Sequence, residues 1–203
     1  MRQSNANNAR NALKIIHLGI TLFIITAVTG AILGVVHDIT LEPIRATQEN
    51  LKTEALRGAL PEAEEFITIE IADGAGTIIR DVQEGIAGGV SVGYCVTVAP
   101  RGYAGPIELV AGITHDGKLR AMRIMNQAET PGLGAKAALP AFYEQFADAS
   151  QVVVVKTDPT APGEIRAISG ATITSDAVAS GVNAALEYWK DHLAGASPQA
   201  EED

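Results

Sequence analysis

At 203 residues, 47% of them hydrophobic and 20 of them glycine, the chain has room for one turn-rich domain plus appendages, and this composition excludes general disorder. The formal charge of −9 hides an asymmetry: residues 1–36 carry Arg2, Arg10 and Lys14 and no acid, leaving 12 basic against 24 acidic residues after them. So acidic a surface excludes nucleic acid as a partner, and a single cysteine, Cys95, excludes a disulfide, zinc cluster or iron–sulfur site built by this chain alone.

Residues 1–14 are polar, Asn-rich and basic, and residues 15–36 follow without one formally charged side chain. As a helix this stretch is long enough to cross a hydrocarbon core of about 30 Å at about 1.5 Å per residue. It is longer than the ~7–15 residues of a signal-peptide apolar region, and its exit, Val35-Val36-His37-Asp38, lacks a small-x-small cleavage site. The expectation is an uncleaved single-pass anchor, with residues 1–14 cytoplasmic because the basic residues precede the span. The domain beyond it then lies on the periplasmic or external side of the inner or plasma membrane. Gly30 and Gly34, four apart, would admit another helix closely, and His17 sits near enough to the cytoplasmic end to reach the interface. Residues 37–64 read as an amphipathic juxtamembrane connector, helical over 38–60 with Pro43 near its start and Pro61 ending it.

Five β-rich runs come next, at 66–71, 77–82, 90–98, 107–114 and 119–125, separated by Asp73-Gly74, Gly88-Gly89, Arg101-Gly102 and Asp116-Gly117. They predict an antiparallel sheet, with Asp116-Gly117 the clearest hairpin signal. Cys95, inside the third run, reads as a buried thiol acting as a small hydrophobe. Residues 133–146 are expected as a helix interrupted by Pro140, 152–155 as a buried strand, and 157–164 as a loop. A last helix over 175–193 places Val178, Val182, Ala185, Leu186, Trp189 and Leu193 on one face, so Trp189 belongs to the core and not to a ligand. Residues 194–203 form an acidic tail expected to be disordered. The fold class is α+β: an N-terminal transmembrane helix, then an antiparallel-sheet-plus-helices domain over 65–193.

Two stretches carry chemistry. Ser169-Gly170-Ala171-Thr172-Ile173-Thr174-Ser175 sets four hydroxyls and two very small residues before a helical apolar pattern. The free N–H groups and partial positive charge of a helix N-terminus suit a phosphate, and Thr172 offers an alcohol that can be esterified. A plain N-cap by Thr174 or Ser175, with Asp176 in the first turn, fits the same residues. Glu129-Thr130-Pro131-Gly132-Leu133-Gly134 makes a fixed turn into which a flat ring can slide. Leu133 can pack on a ring face while Glu129, Thr130 and Lys136 reach polar atoms; an ordinary turn with Thr130 as N-cap and Pro131 at the first helical position is equally consistent. No Cys/His or Ser/His/Asp spacing suggests a catalytic centre, His115 beside Asp116 reads as a hairpin turn, and no metal site is expected.

Ile168 to Ser175 resembles the S/T-G-A-T attachment motif of the FMN-binding domain family, found in the G subunit of Rnf electron-transport complexes and the C subunit of sodium-translocating NADH:quinone reductases. Gly102-Tyr103-Ala104-Gly105-Pro106-Ile107 and the Glu129 to Gly134 stretch match two further family motifs in the family's order, extending the likeness over most of residues 85–192. The resemblance implies FMN held covalently, its phosphate esterified to Thr172, with Ser169, Gly170, Ala171, Thr174, Glu129, Thr130, Gly132, Leu133 and Lys136 around it. That linkage makes the chain a flavoprotein and a phosphoprotein. It also implies a flavin transferase using FAD as donor, partner subunits of a membrane complex, and electron transfer coupled to ion translocation with no independent active site. Length favours the Rnf G-subunit type over its quinone-reductase counterpart; a non-redox, membrane-tethered assembly module is the reading of another class. Two positions depart from the family pattern, Arg166 where many relatives have Asp and Gln127 where a His is common. Near the attachment site Arg166 would favour a phosphodiester.

Overall fold

Two glycines in succession cost entropy in a strand but adopt positive φ freely, so Gly88-Gly89 folds the chain back on itself. In the computed structural model, which describes residues 2–195 apart from 73 and 75, their φ values are 58° and 79°, and Ala87 stands opposite Val90. The tail from 196 onward and Asp73 of the first expected separator lie outside the described residues.

The five runs form β1 (Glu65–Ile69), β2 (Ile79–Ala87), β3 (Val90–Val98), β4 (Glu108–Ile113) and β5 (Leu119–Asn126), in the order 1-2-3-4-5 with each strand antiparallel to the next. The second run ends five residues later than its sequence suggests, because the β3 register carries β2 through polar Gln83 and Glu84 to the Gly88-Gly89 turn. Asp116-Gly117 does sit in the β4–β5 connection, where the Thr114 and Lys118 backbones pair.

The chain divides into two units, Met1–Asn50 and Leu51–Asp203, and the helix α1 runs from Arg2 to Ala59. Within the first unit His17–His37 is long and apolar enough to cross a membrane by length and composition. There the Thr21, Thr26 and Thr29 hydroxyls donate to backbone carbonyls three or four residues earlier, which satisfies them without water. Pro43, expected near the start of a separate connector helix, lies inside α1, and Leu60 and Pro61 follow its end.

In the second unit, Tyr94, Val96 and Val98 point from β3 into a core shared with the last helix. Cys95, between them, points to the other face, where with Val110 it packs under Ala55, Leu56, Ala59 and Leu60. The sheet is thus covered on both faces. Cys95 is 1% exposed and burial pushes its thiol up to about 12.

After β5 the helix expected over 133–146 is interrupted at Pro140, as its sequence suggests, but most of it is 3-10 and not α. The chain makes a 3-10 turn at Gly134–Ala138, a short helix α2 (Pro140–Tyr143) and a second 3-10 turn at Glu144–Phe146. Pro140 restarts the helix, because its fixed φ and missing N–H suit a first position. β6 (Val153–Val155) pairs in parallel with β7 (Glu164–Arg166), so the end of the expected loop is a strand. Val152 is buried but Val153 is 57% exposed, which corrects the expectation of a wholly buried strand: two short strands at the margin of the core have one face free. The helix α3 spans Thr172–Tyr188, starting three residues before Ser175, and passes into a π turn at Trp189–Leu193. Val178, Val182, Ala185, Leu186 and Leu193 are buried in the core, and half-buried Trp189 packs against it.

Candidate functional site

Three turns converge on one cleft of about 610 Å³. The first precedes β4: the Gly102 N–H donates to the Gly105 carbonyl at 2.8 Å and the Ile107 N–H to Pro100 at 2.9 Å, a tight loop that lifts Tyr103 to 73% exposure. The second follows β5, where the Leu133 and Ala135 N–H groups both donate to the Thr130 carbonyl at 3.1 and 3.3 Å and Gly132 takes φ 79°. It turns Leu133 outward, 43% exposed, at the cleft wall. The third opens α3. Gly170 has φ 77°, which a side chain would resist, and the Ala171 N–H donates to the Ile168 carbonyl at 2.9 Å.

The hydroxyls at this turn divide by role. Ala171 occupies the N-cap with no side-chain cap bond, so the N-cap expected of Thr174 or Ser175 is absent. Both are instead buried and engaged, Thr174 across the fold and Ser175 within its own turn. Ser175 accepts from the Ile168 N–H at 2.9 Å and donates to the Ala171 carbonyl at 3.0 Å. Thr174 donates to Glu129 Oε2 at 2.6 Å. Thr172 is exposed and lines the cleft, at the helix end whose first N–H groups lack intrahelical partners. Partial positive charge, free donors and an alcohol therefore meet at one place.

Of the residues singled out in sequence, the structure brings Glu129, Thr130, Leu133, Gly170, Ala171, Thr172 and Thr174 together around the cleft. Ser169 and Lys136 line a separate pocket of about 220 Å³ with Arg166, and Gly132 lines neither. Arg166 does not face the cleft: its Nη1 pairs with Asp158 Oδ1 at 2.6 Å on the surface. Thr130 is not a helix cap, since no helix starts beside it; the 3-10 turn has Leu133 at its N-cap position. Tyr103, Gly134 and Ile173 also line the cleft and were not singled out as site residues. All three lie within stretches that the sequence marks out, and Tyr103 carried a further signal, an aromatic residue between two glycines of a turn. Glu129, 6% exposed, accepts the Ala104 N–H on Oε1 at 2.9 Å and the Thr174 hydroxyl on Oε2, which offsets the cost of burying a carboxylate.

The FMN-binding domain family model matches residues 102–187, the span that contains all three turns. The chain is 36% identical to the G subunit of the Na(+)-translocating ferredoxin:NAD(+) oxidoreductase complex of Acetobacterium woodii over 189 residues, 86% of this chain and 91% of that one. It is 33% identical to the G subunit of the ion-translocating oxidoreductase complex of Methanosarcina acetivorans, covering 83% and 91% of the two chains. Among solved structures, the C subunit of the Na(+)-translocating NADH-quinone reductase of Parabacteroides distasonis shares the fold, with a TM-score of 0.56 at 20% identity over 74% of this chain and 95% of that one.

Proposed function

Since the chain belongs to the family of ion-translocating oxidoreductase complex G subunits, with an FMN-binding domain, we propose that it carries FMN covalently on Thr172 and relays electrons within such a membrane complex. The observation that carries the attachment point is the position of Thr172: first residue of α3, exposed, in the cleft wall, at a helix N-terminus that no side chain caps. Its neighbours Thr174 and Ser175 are buried and engaged, which leaves Thr172 as the alcohol available there.

The cleft fits FMN by size and chemistry. About 610 Å³ is within the usual range for cofactor sites. Leu133, Tyr103 and Ile173 offer apolar surface to a flat ring, Thr130 a polar group, and the α3 N-terminus a seat for a phosphate. Bound there, FMN supplies the redox chemistry, while the protein orients it and sets its surroundings. Attachment needs a transferase that brings FAD: Thr172 Oγ forms a bond to the FMN phosphorus, the bond to AMP breaks, AMP leaves and the hydroxyl proton passes to a base of the transferase.

His17–His37 serves as a single membrane anchor, with the preceding basic residues cytoplasmic and the flavin domain outside. Its partners are the other subunits of the complex and the transferase. The test is flavin fluorescence of the denatured chain on a gel, for wild type and Thr172→Ala, each co-expressed with a flavin transferase. A fluorescent wild-type band that goes dark in the variant is expected. A dark wild-type band, with the transferase active on a control substrate, overturns covalent attachment and leaves a tethered assembly module.

A further inference from the structure

The Glu129 carboxylate is the point where the three turns of the cleft are joined. Its two oxygens take donors from segments 25 and 45 residues away, the Ala104 N–H of the Gly102 turn and the Thr174 hydroxyl of α3. The Glu129 N–H is itself occupied, donating to Gln127 Oε1 at 2.6 Å. Among the described residues no ion pair involves Glu129, so these hydrogen bonds are what stabilises a carboxylate at 6% exposure. Space is kept for it by absent side chains: a Cβ on Gly102 would stand 2.6 Å from Oε1, and one on Gly134 would stand 2.7 Å from Thr174 Oγ1.

We propose that Glu129 is the positioning residue of the cleft: it holds Thr174 inward, and thereby turns Thr172 outward to accept the flavin phosphate opposite the Gly102 turn. Residues two apart on a helix lie about 200° apart around its axis, so the orientation of one sets that of the other. Thr174 is 1% exposed, whereas Thr172 is open to the cleft. Each Glu129 oxygen already accepts one bond from the protein, so its first role is to join the turns, whatever its remaining lone pairs offer the flavin. The inference rests on Thr172 as the attachment point.

The test uses the unloaded full-length chain in detergent with a purified flavin transferase and FAD, and reads kcat and KM for attachment. Glu129→Ala and Thr174→Val should each lower kcat about tenfold or more, as expected when a reacting group is misplaced by a fraction of an ångström, with KM little changed because the Ser169-Gly170-Ala171-Thr172 tetrad is intact in both. Thr174→Ser should restore most of the rate, and Glu129→Gln should retain more than Glu129→Ala, since its amide can still accept from one donor and bond the threonine oxygen. The double variant should be no slower than the slower single one, because both remove one joint. Wild-type kcat in folded Glu129→Ala or Thr174→Val, or effects that multiply in the double variant, overturns the role.

Thermal unfolding identifies any variant that does not fold, in which case Thr174→Val against Thr174→Ser carries the comparison. If the wild type takes no FMN, the attachment reading falls by itself and the joint is read by hydrogen exchange of the Ala104 amide. Faster exchange in Thr174→Val, at a site on another segment, upholds the joint, and unchanged exchange overturns it.

Discussion

The Ser175 hydroxyl accepts from the Ile168 N–H at 2.9 Å and donates to the Ala171 carbonyl at 3.0 Å, so a single side chain closes the turn that presents Ser169, Gly170 and Ala171. Ser175 is fully buried, and no water can replace it without rearrangement. Ser175→Ala leaves the Ile168 N–H without its partner and should cost about 1–3 kcal/mol in urea unfolding. FMN attachment to the folded fraction should slow as well, because the turn that sets Thr172 loosens. Wild-type stability together with wild-type attachment would show that Ser175 is dispensable.

Gly112 on β4 faces α1 so closely that a Cβ there would overlap the Ala59 carbonyl oxygen. Gly112→Ala must push α1 off the sheet or bend the strand, at a cost of about 1–3 kcal/mol. The site is on the sheet face opposite the main core and does not line the cleft. Chemical denaturation should therefore detect a loss, while the fraction of folded protein that takes FMN stays unchanged.

Cys95 makes stability depend on alkaline pH. Its thiol is raised from an ordinary 9.0 to about 12 by burial. Below about pH 9 the thiol is protonated in both folded and unfolded chains and its contribution is fully present. As pH rises further the unfolded chain releases its proton first, so stability falls until the folded thiol also ionises. Urea unfolding between pH 7 and about pH 10.5 should show a steeper decline for wild type than for Cys95→Ala. Thiol reagents should label native Cys95 only as fast as the domain opens.

Arg166 pairs with Asp158 in solvent, with side-chain exposures of 62% and 83%. An exposed pair of this kind contributes at most about 1 kcal/mol. Arg166→Ala should leave stability and the rate of FMN attachment close to wild type. A clear drop in attachment would instead bring this side chain to the phosphodiester during the transferase reaction.

The strands are legible in the sequence where alternation and turn chemistry are local properties. β3 starts and ends where its run does, because Gly88-Gly89 opens it and Pro100 follows it. β2 reads short because Gln83 and Glu84 look like the end of a run, although pairing with β3 buries Gln83 to 6% exposure. β7 carries no signal of its own in three residues, and its existence depends on β6 lying alongside. The start of α3 reads late for a related reason. Ser175 and Thr174 have the chemistry of caps, and only the presence of Ile168 and Glu129 beside them decides that they bond elsewhere.

The sequence by itself determined that the chain has an apolar stretch fit to span a membrane, an antiparallel-sheet domain and a hydroxyl-rich helix start suited to a phosphate. Each depends on residue type at short spacing, and short spacing is what helical period, strand alternation and turns record. The tertiary structure alone decided which of four hydroxyls faces the cleft, that Lys136, Ser169 and Arg166 lie outside it, that Tyr103 lies within it, and that Glu129 joins its walls. Those assignments depend on donors and acceptors 25 and 45 residues apart being brought within 3 Å, which the packing of the whole domain achieves and no local pattern encodes.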